Sequence, residues 1–327
     1  MIIESLNLAD VLLDIMRILR PRAVLFAGVD ASGEWALGFR ERNDLLFCWV
    51  EQGQCLAIRP DHQPLLLKQG DFLLIRASTP FRLASSNSAM AIDSETAVAS
   101  SKSKRLQLGS SDDRQTTLHA GKFIVSAANN DLLEELLPQT VGISASDPSV
   151  GRIRALLAMN EAEARLPGPA SEFVIIRLVE LILVEILRSG LVSINSEKKG
   201  LLAGLADRYA KRAIVAMHRD VARNWTVAEL AKLCGVSRAG FAARFRRIFG
   251  MGPIEYLLRW RIALAKDELQ NGTKTVAEIA FSVGFGSSSA FSSAFTRTVG
   301  CSPTQFARAC GTEATEALQS DRTLVRK

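Results

Sequence analysis

Residues 228–256 and 277–306 are two copies of one pattern. The first reads AELAKLCGVSRAGFAARFRRIFGMGPIEY and the second AEIAFSVGFGSSSAFSSAFTRTVGCSPTQF. The offset is 49 residues up to Gly235/Gly284 and 50 from Phe241/Phe291 onward, so the second copy has one extra residue in its turn. Ala231/Ala280, Phe245/Phe295, Arg247/Arg297, Gly250/Gly300 and Pro253/Pro303 coincide. A duplication of this kind is one supersecondary unit used twice.

Each copy predicts helix, tight turn, helix. In the first, Thr226 can cap a helix carrying Val227, Leu230, Ala231 and Leu233. Gly235 suits a left-handed turn residue, and Ser237 an N-cap for the next helix. Phe241, Phe245 and Ile248 then fall on one helical face and form a buried stripe. The second copy repeats the scheme with Val276, Ile279, Ala280 and Gly284, then Phe291 and Phe295. Two short helices about a glycine turn are the helix-turn-helix pattern, although similar hairpins also occur in bundles that bind nothing. Between the copies, YLLRWRIALAKDEL (256–269) lacks Gly and Pro and predicts one long helix. Such a rod could hold the units about 34 Å apart, the spacing of successive major grooves on one face of a duplex.

Charge points the same way. Residues 204–311 hold 16 basic and 7 acidic side chains, a net +9, whereas the remainder has 24 and 27, a net −3. A basic third suggests a polyanionic partner, though a basic domain can also be only a soluble surface.

Residues 225–257, WTVAELAKLCGVSRAGFAARFRRIFGMGPIEYL, the linker LRWRIALAKDEL and TVAEIAFSVGFGSSSAFSSAFTRTVGCSPTQF together resemble the C-terminal DNA-binding domain of the AraC/XylS transcription regulators. The resemblance covers about 100 residues and includes both units, the linker and both Gly-x-x-Pro ends. It implies binding to double-stranded promoter DNA through two major grooves, with RNA polymerase as a further partner. The candidate DNA-binding residues lie opposite or beside the phenylalanine stripes: Arg238, Ala239, Ala242, Ala243, Arg246 and Arg247 in the first unit, and Ser288, Ser289, Ser292, Ser293, Thr296 and Arg297 in the second. The arginines can reach phosphate or guanine; serine and threonine discriminate bases weakly; alanine can only touch a thymine methyl or permit close approach. Many family members carry Arg where Ala243 and Ser293 stand. Their absence predicts a protein that relies more on backbone contacts and DNA shape than on bidentate base contacts. Arg244 is next door, near the core edge, where a salt bridge and a base contact are equally open.

From residue 43 onward the pattern becomes strands and turns: LLFCWV, QCLAIR, PLLLKQGDFLLIR, PFRLAS and later KFIVSA. Residues 85–111 are serine-rich and read as edge strands and loops. Trp35-Ala-Leu, Gly53 and Gly70-Asp71 with their spacing resemble the cupin-type sensor domain of one AraC subgroup. Related cupins often place histidines where Cys48 and Phe81 stand. The chain has only His62, His119 and His218, without metal-ligand spacing, so no metal and no cofactor are expected. Cys48 and Cys55 read as buried small hydrophobes, with a redox pair as the alternative. LLEELLP, VGRIRALLAMNEAEARL and SEFVIIRLVELILVEILRSG, within 131–204, read as helical. The last is apolar around most of its circumference and serves either one chain's core or a homodimer seam through residues 171–190.

The expected class is α+β: a cupin-like β-barrel sensor at 1–130, a helical linker or dimerisation region at 131–205, a double helix-turn-helix at 206–310, and a tail at 311–327. Five cysteines in 327 residues, an odd number without a CxxC pair, fit a reducing compartment. The opening residues carry Glu4, Asp10 and Asp14 where a secretory leader would be basic, and charges interrupt the greasiest stretch, 173–187. A cytoplasmic protein with no membrane association is expected. No catalytic motif is visible, so the chain reads as a regulator and not an enzyme. The leading expectation is a small effector bound in the barrel, of unknown identity and site. Two alternatives stay open: an effector-independent regulator whose cupin domain only dimerises, and a non-metal cupin that binds or converts a small molecule.

Overall fold

The computed structural model describes residues 11, 13–19, 22–42, 45–60, 62–101, 105–109, 116–124, 139–166, 168–190 and 200–310. The expected helix at 132–138 and the tail lie outside them. The chain divides into two compact units; among the described residues, one holds the strands and two long helices and the other only helices and their connections.

In the first unit, strands of alternating or continuous apolar character pair into two sheets. The larger has the order β11-β6-β3-β10-β1-β9, with β1 at Arg22–Ala31, β3 at Leu45–Gln52, β6 at Phe72–Arg76, β9 at Arg105–Leu108, β10 at Thr116–Ile124 and β11 at Thr140–Ile143. The smaller has the order β5-β4-β7-β2-β8, with β2 at Ala36–Phe39, β4 at Gln54–Ile58, β5 at Leu65–Lys68, β7 at Phe81–Ala84 and β8 at Ala91–Asp93. Among the described residues these are two facing sheets and not one closed barrel.

The period-2 rule explains the core. Leu46, Cys48 and Val50 on β3, Cys55 and Ala57 on β4, and Phe81 and Leu83 on β7 alternate inward and meet Leu73, Ile75, Leu106 and Leu118. The space between the sheets is therefore filled by side chains. The opposite face of β3 is also covered: Phe47 packs on Phe72 at 6.0 Å and on Phe123 at 4.8 Å between ring centroids. That double burial is why LLFCWV is almost continuously apolar.

Two segments depart from the sequence expectation. The serine-rich stretch contains a helix, α1 (Ser94–Ser100), whose N-cap Asp93 accepts from the Thr96 amide at 3.0 Å. Residues 140–143, expected to be helical, are β11, which pairs antiparallel with β6 from Thr140↔Ile75 to Ile143↔Phe72. The two long helices form as expected: α2 (Pro148–Arg165), capped by Asp147 with proline in its first turn, and α3 (Ser171–Gly190). They pack on each other, and α3 packs on β1 and β11. Val179, Ile182, Leu183 and Ile186 of α3 are buried, while Phe173 and Leu181 are 61% and 51% exposed.

The second unit runs α4 (Leu201–Ala206), α5 (Arg208–Arg219), α6 (Val227–Cys234), α7 (Arg238–Phe249), α8 (Pro253–Asn271), α9 (Val276–Ser282) and α10 (Ser288–Val299). No helix among the described residues is long and apolar enough to cross a membrane.

Candidate nucleic-acid interface

The repeat folds as two helix-turn-helix hairpins, α6–α7 and α9–α10. Both start with a capping box. Thr226 accepts from the Glu229 amide while Glu229 accepts from the Thr226 amide, and Thr275 and Glu278 do the same. These bonds, and Arg223 beside Glu229, hold the Glu229 carboxyl below its ordinary range; the Thr275 bonds do so for Glu278. Ser237 caps α7 and Ser287 caps α10. The turns differ as the offset implies. In the first unit Gly235 takes φ 72°, in the second Gly284 takes φ 86°, and one additional residue separates Gly284 from its cap serine.

The phenylalanine stripes are buried. Phe241 packs on Phe245, and Phe245 on Phe249 and Tyr256, in the first unit; Phe291 and Phe295 pack against Ile262, Leu269, Ile279 and Phe306 in the second. The twelve candidate DNA-binding residues consequently lie outside the core. Arg238, Ala239, Ala243, Arg246, Arg247, Ser288, Ser289, Ser293, Thr296 and Arg297 are exposed, and Ala242 and Ser292 half-buried. Ser292, Ser293, Thr296 and Arg297 line one shallow surface depression on α10.

Arg244 is not among them. It donates to Asp207 at 2.7 Å from Nε and lies over the Tyr209 ring at 4.8 Å. Asp207 also caps α5 through the amides of Tyr209 and Ala210. Burial pushes the Asp207 carboxyl up, but the Arg244 hydrogen bond, the Ala210 amide and the Arg244 charge outweigh it and hold the group below its ordinary value. The salt bridge wins because its acceptor is already fixed at a helix start.

The two hairpins are joined by more than the rod α8. Arg261 on α8 donates to the Val221 and Arg223 carbonyls, each at 2.9 Å, and sits over Phe285 of the second turn at 5.9 Å. A side-chain carbon at Gly284 would fall 2.6 Å from Ala222 Cα. The loop before α6 therefore abuts the turn of the second hairpin, which fixes one unit against the other. The rod was legible in the sequence; this clasp was not, since Arg261 and its acceptors are about 40 residues apart. A second basic patch was also missed: Arg208, Lys211, Arg212 and Arg219 of α5 border a cleft of about 970 Å³. The charge excess implied such a patch without locating it.

The histidines occupy unrelated places. His62 bonds its own turn at the Pro60 carbonyl, His119 pairs with Glu51 at 2.8 Å and stacks on Trp49, and His218 is buried against Trp260 and the Tyr256 hydroxyl. The cysteines Cys48 and Cys55 are buried in the sheet core. Burial pushes the Cys48 thiol well up, with Cys55 adding to it, and pushes Cys55 to about 12. Both stay protonated, which suits packing and opposes thiolate chemistry.

Residues 10–191 match the family described as Cupin, and residues 230–309 the Helix-turn-helix domain. The chain is 37% identical to an AraC-like transcription regulator of Streptomyces antibioticus, over 90% of this chain and 97% of that one. It is 36% identical to an AraC-like regulator of Streptomyces lividans, over 90% and 96%. Among solved structures it is similar to ToxT from Vibrio cholerae O395, with 14% identity, 88% and 97% coverage and a TM-score of 0.35.

Proposed function

The chain belongs to the AraC-like transcription regulators, and on that premise we propose how it engages DNA and what governs it. Both recognition helices, α7 and α10, enter successive major grooves. Arg238, Arg246, Arg247 and Arg297 neutralise phosphates, while Ala239, Ala242, Ala243, Ser288, Ser289, Ser292, Ser293 and Thr296 lie along base edges. The carrying observation is that all twelve residues lie outside the core while the clasp through Arg261 fixes the two hairpins. With no arginine at 243 or 293, sequence is read largely through shape and deformability. Removing a phosphate contact should weaken binding across all sequences and lower the salt slope by about one. Arg246→Ala, titrated on specific and random duplexes at several salt concentrations, tests this. An equal loss on both supports the reading; a loss confined to the specific duplex contradicts it.

The protein acts as a homodimer through α3, whose apolar Phe173, Val174 and Leu181 are exposed, as are Met159 of α2 and Leu166 at its C-cap. The cupin domain receives a small effector, and RNA polymerase is the downstream partner. The filled space between the sheets favours a second reading, in which the domain only dimerises. The two readings part on whether any cleft outside that core takes a ligand. The regulator is not an enzyme, and it works in the cytoplasm.

A further inference from the structure

The basic cleft of about 970 Å³ follows the line where α5 and α6 pack on each other. The two helices run side by side in opposite senses. At one end the Cys234 thiol of α6 donates to the Tyr209 carbonyl of α5 at 3.2 Å. At the other, the Trp225 indole before α6 donates to the Asp220 carbonyl after α5 at 3.0 Å. Every described residue lining the cleft comes from α4, α5, α6 or the turns beside them. None comes from α7 or α10, so the cleft is separate from the twelve candidate DNA-binding residues.

Its lining mixes cations with apolar anchors. α5 buries Ala213, Ile214 and Met217 and presents Arg208, Arg212, Val215 and Arg219 on its other face. Leu233 of α6 lies 39% exposed at the Tyr209 end, and half-buried Trp225 stands at the Asp220 end. Arg223 lies over that indole at 4.1 Å and pairs with Glu229 at 3.1 Å, so the ring is held in place. The side chains of Lys211, Arg212 and Arg219 meet no carboxylate among the described residues. Asp220 is the one acidic residue among those described in the lining.

A phosphate track needs cations alone, and here apolar side chains stand between them. The pattern instead fits a segment with apolar side chains along one face and carboxylates beside them. The twelve residues of α5 span about 18 Å, which matches some three turns of a bound helix. We infer that this groove docks an acidic amphipathic helix of a partner protein. Its apolar side chains meet Val215, Trp225 and Leu233, and its carboxylates meet Lys211, Arg212 and Arg219.

The test is fluorescence anisotropy of the full chain with a labelled synthetic helix of leucines at every third or fourth position and glutamates between. The peptide should bind, and its counterpart with glutamine for glutamate at least about tenfold more weakly. Arg212→Glu and Leu233→Asp both alter exposed positions. Each should weaken binding about tenfold with the circular dichroism spectrum unchanged. No binding of the glutamate peptide, equal binding of the glutamine peptide, or indifference to both substitutions overturns the groove. Binding by the free chain is read without DNA, so it stands or falls apart from the DNA contacts proposed above. A saturating random-sequence duplex should then leave the peptide in place. Displacement by the duplex, with a lower salt slope of DNA binding in Arg212→Glu, would make the groove a phosphate track and overturn the inference.

Discussion

His218 shows how much one buried group can contribute to pH dependence. It stacks on Trp260 at 4.0 Å and meets the Tyr256 hydroxyl at 2.8 Å. Burial lowers its pKa from 6.5 to about 3. The unfolded chain thus binds an extra proton between those values, and the folded unit does not. Stability from this residue is complete above pH 6.5 and falls as the pH drops toward 3. Urea unfolding followed by tryptophan fluorescence should show the helical unit weaker at pH 4.5 than at pH 7. His218→Gln should flatten that difference; an unchanged difference would remove His218 as its source. At this scale the sequence was legible where partners are local. Thr226 and Ser237 were identified as caps because the amides they satisfy are three residues away. Arg244 was ambiguous because its partner, Asp207, is 37 residues back.

The two turns make a controlled comparison at the level of elements. Gly235 and Gly284 both have positive φ, so alanine at either costs about 1–2 kcal/mol in backbone conformation. Only at Gly284 does the new carbon strike backbone, at Ala222. Gly284→Ala should therefore lower the melting temperature more than Gly235→Ala, and should weaken DNA binding beyond its effect on folding. Equal losses would mean that the loop before α6 does not brace the second hairpin. On α3, Leu181→Glu places a charge on the exposed stripe without entering the core, and it should shift the protein from dimer to monomer in sedimentation. A dimer that persists would move the seam elsewhere. The long helices were legible from periodicity and proline punctuation. Helix α1 was not, because SETAVAS has little apolar patterning and its start depends on Asp93 as a cap. Strand β11 was missed because four residues beside a helical region carry too little pattern to reveal pairing with β6, some 65 residues earlier in sequence.

For the molecule as a whole, repeat, charge excess and linker made the DNA-binding unit readable before any coordinates, since its contacts are mostly local along the chain. The cupin unit was readable only as strands and turns. The order in which β2, β4, β7 and β8 pair is a non-local fact that hydrophobic pattern does not determine. The central claim is that two rigidly clasped hairpins engage two consecutive grooves of one duplex face. Affinity of the full chain for a genomic binding site, compared with the same site carrying five extra base pairs between the two groove segments, tests it most directly. Half a helical turn moves the second segment to the opposite face. Affinity should collapse toward the random-sequence level and return in part with a ten-base-pair insertion. Affinity unchanged by the five-base-pair insertion would contradict the account.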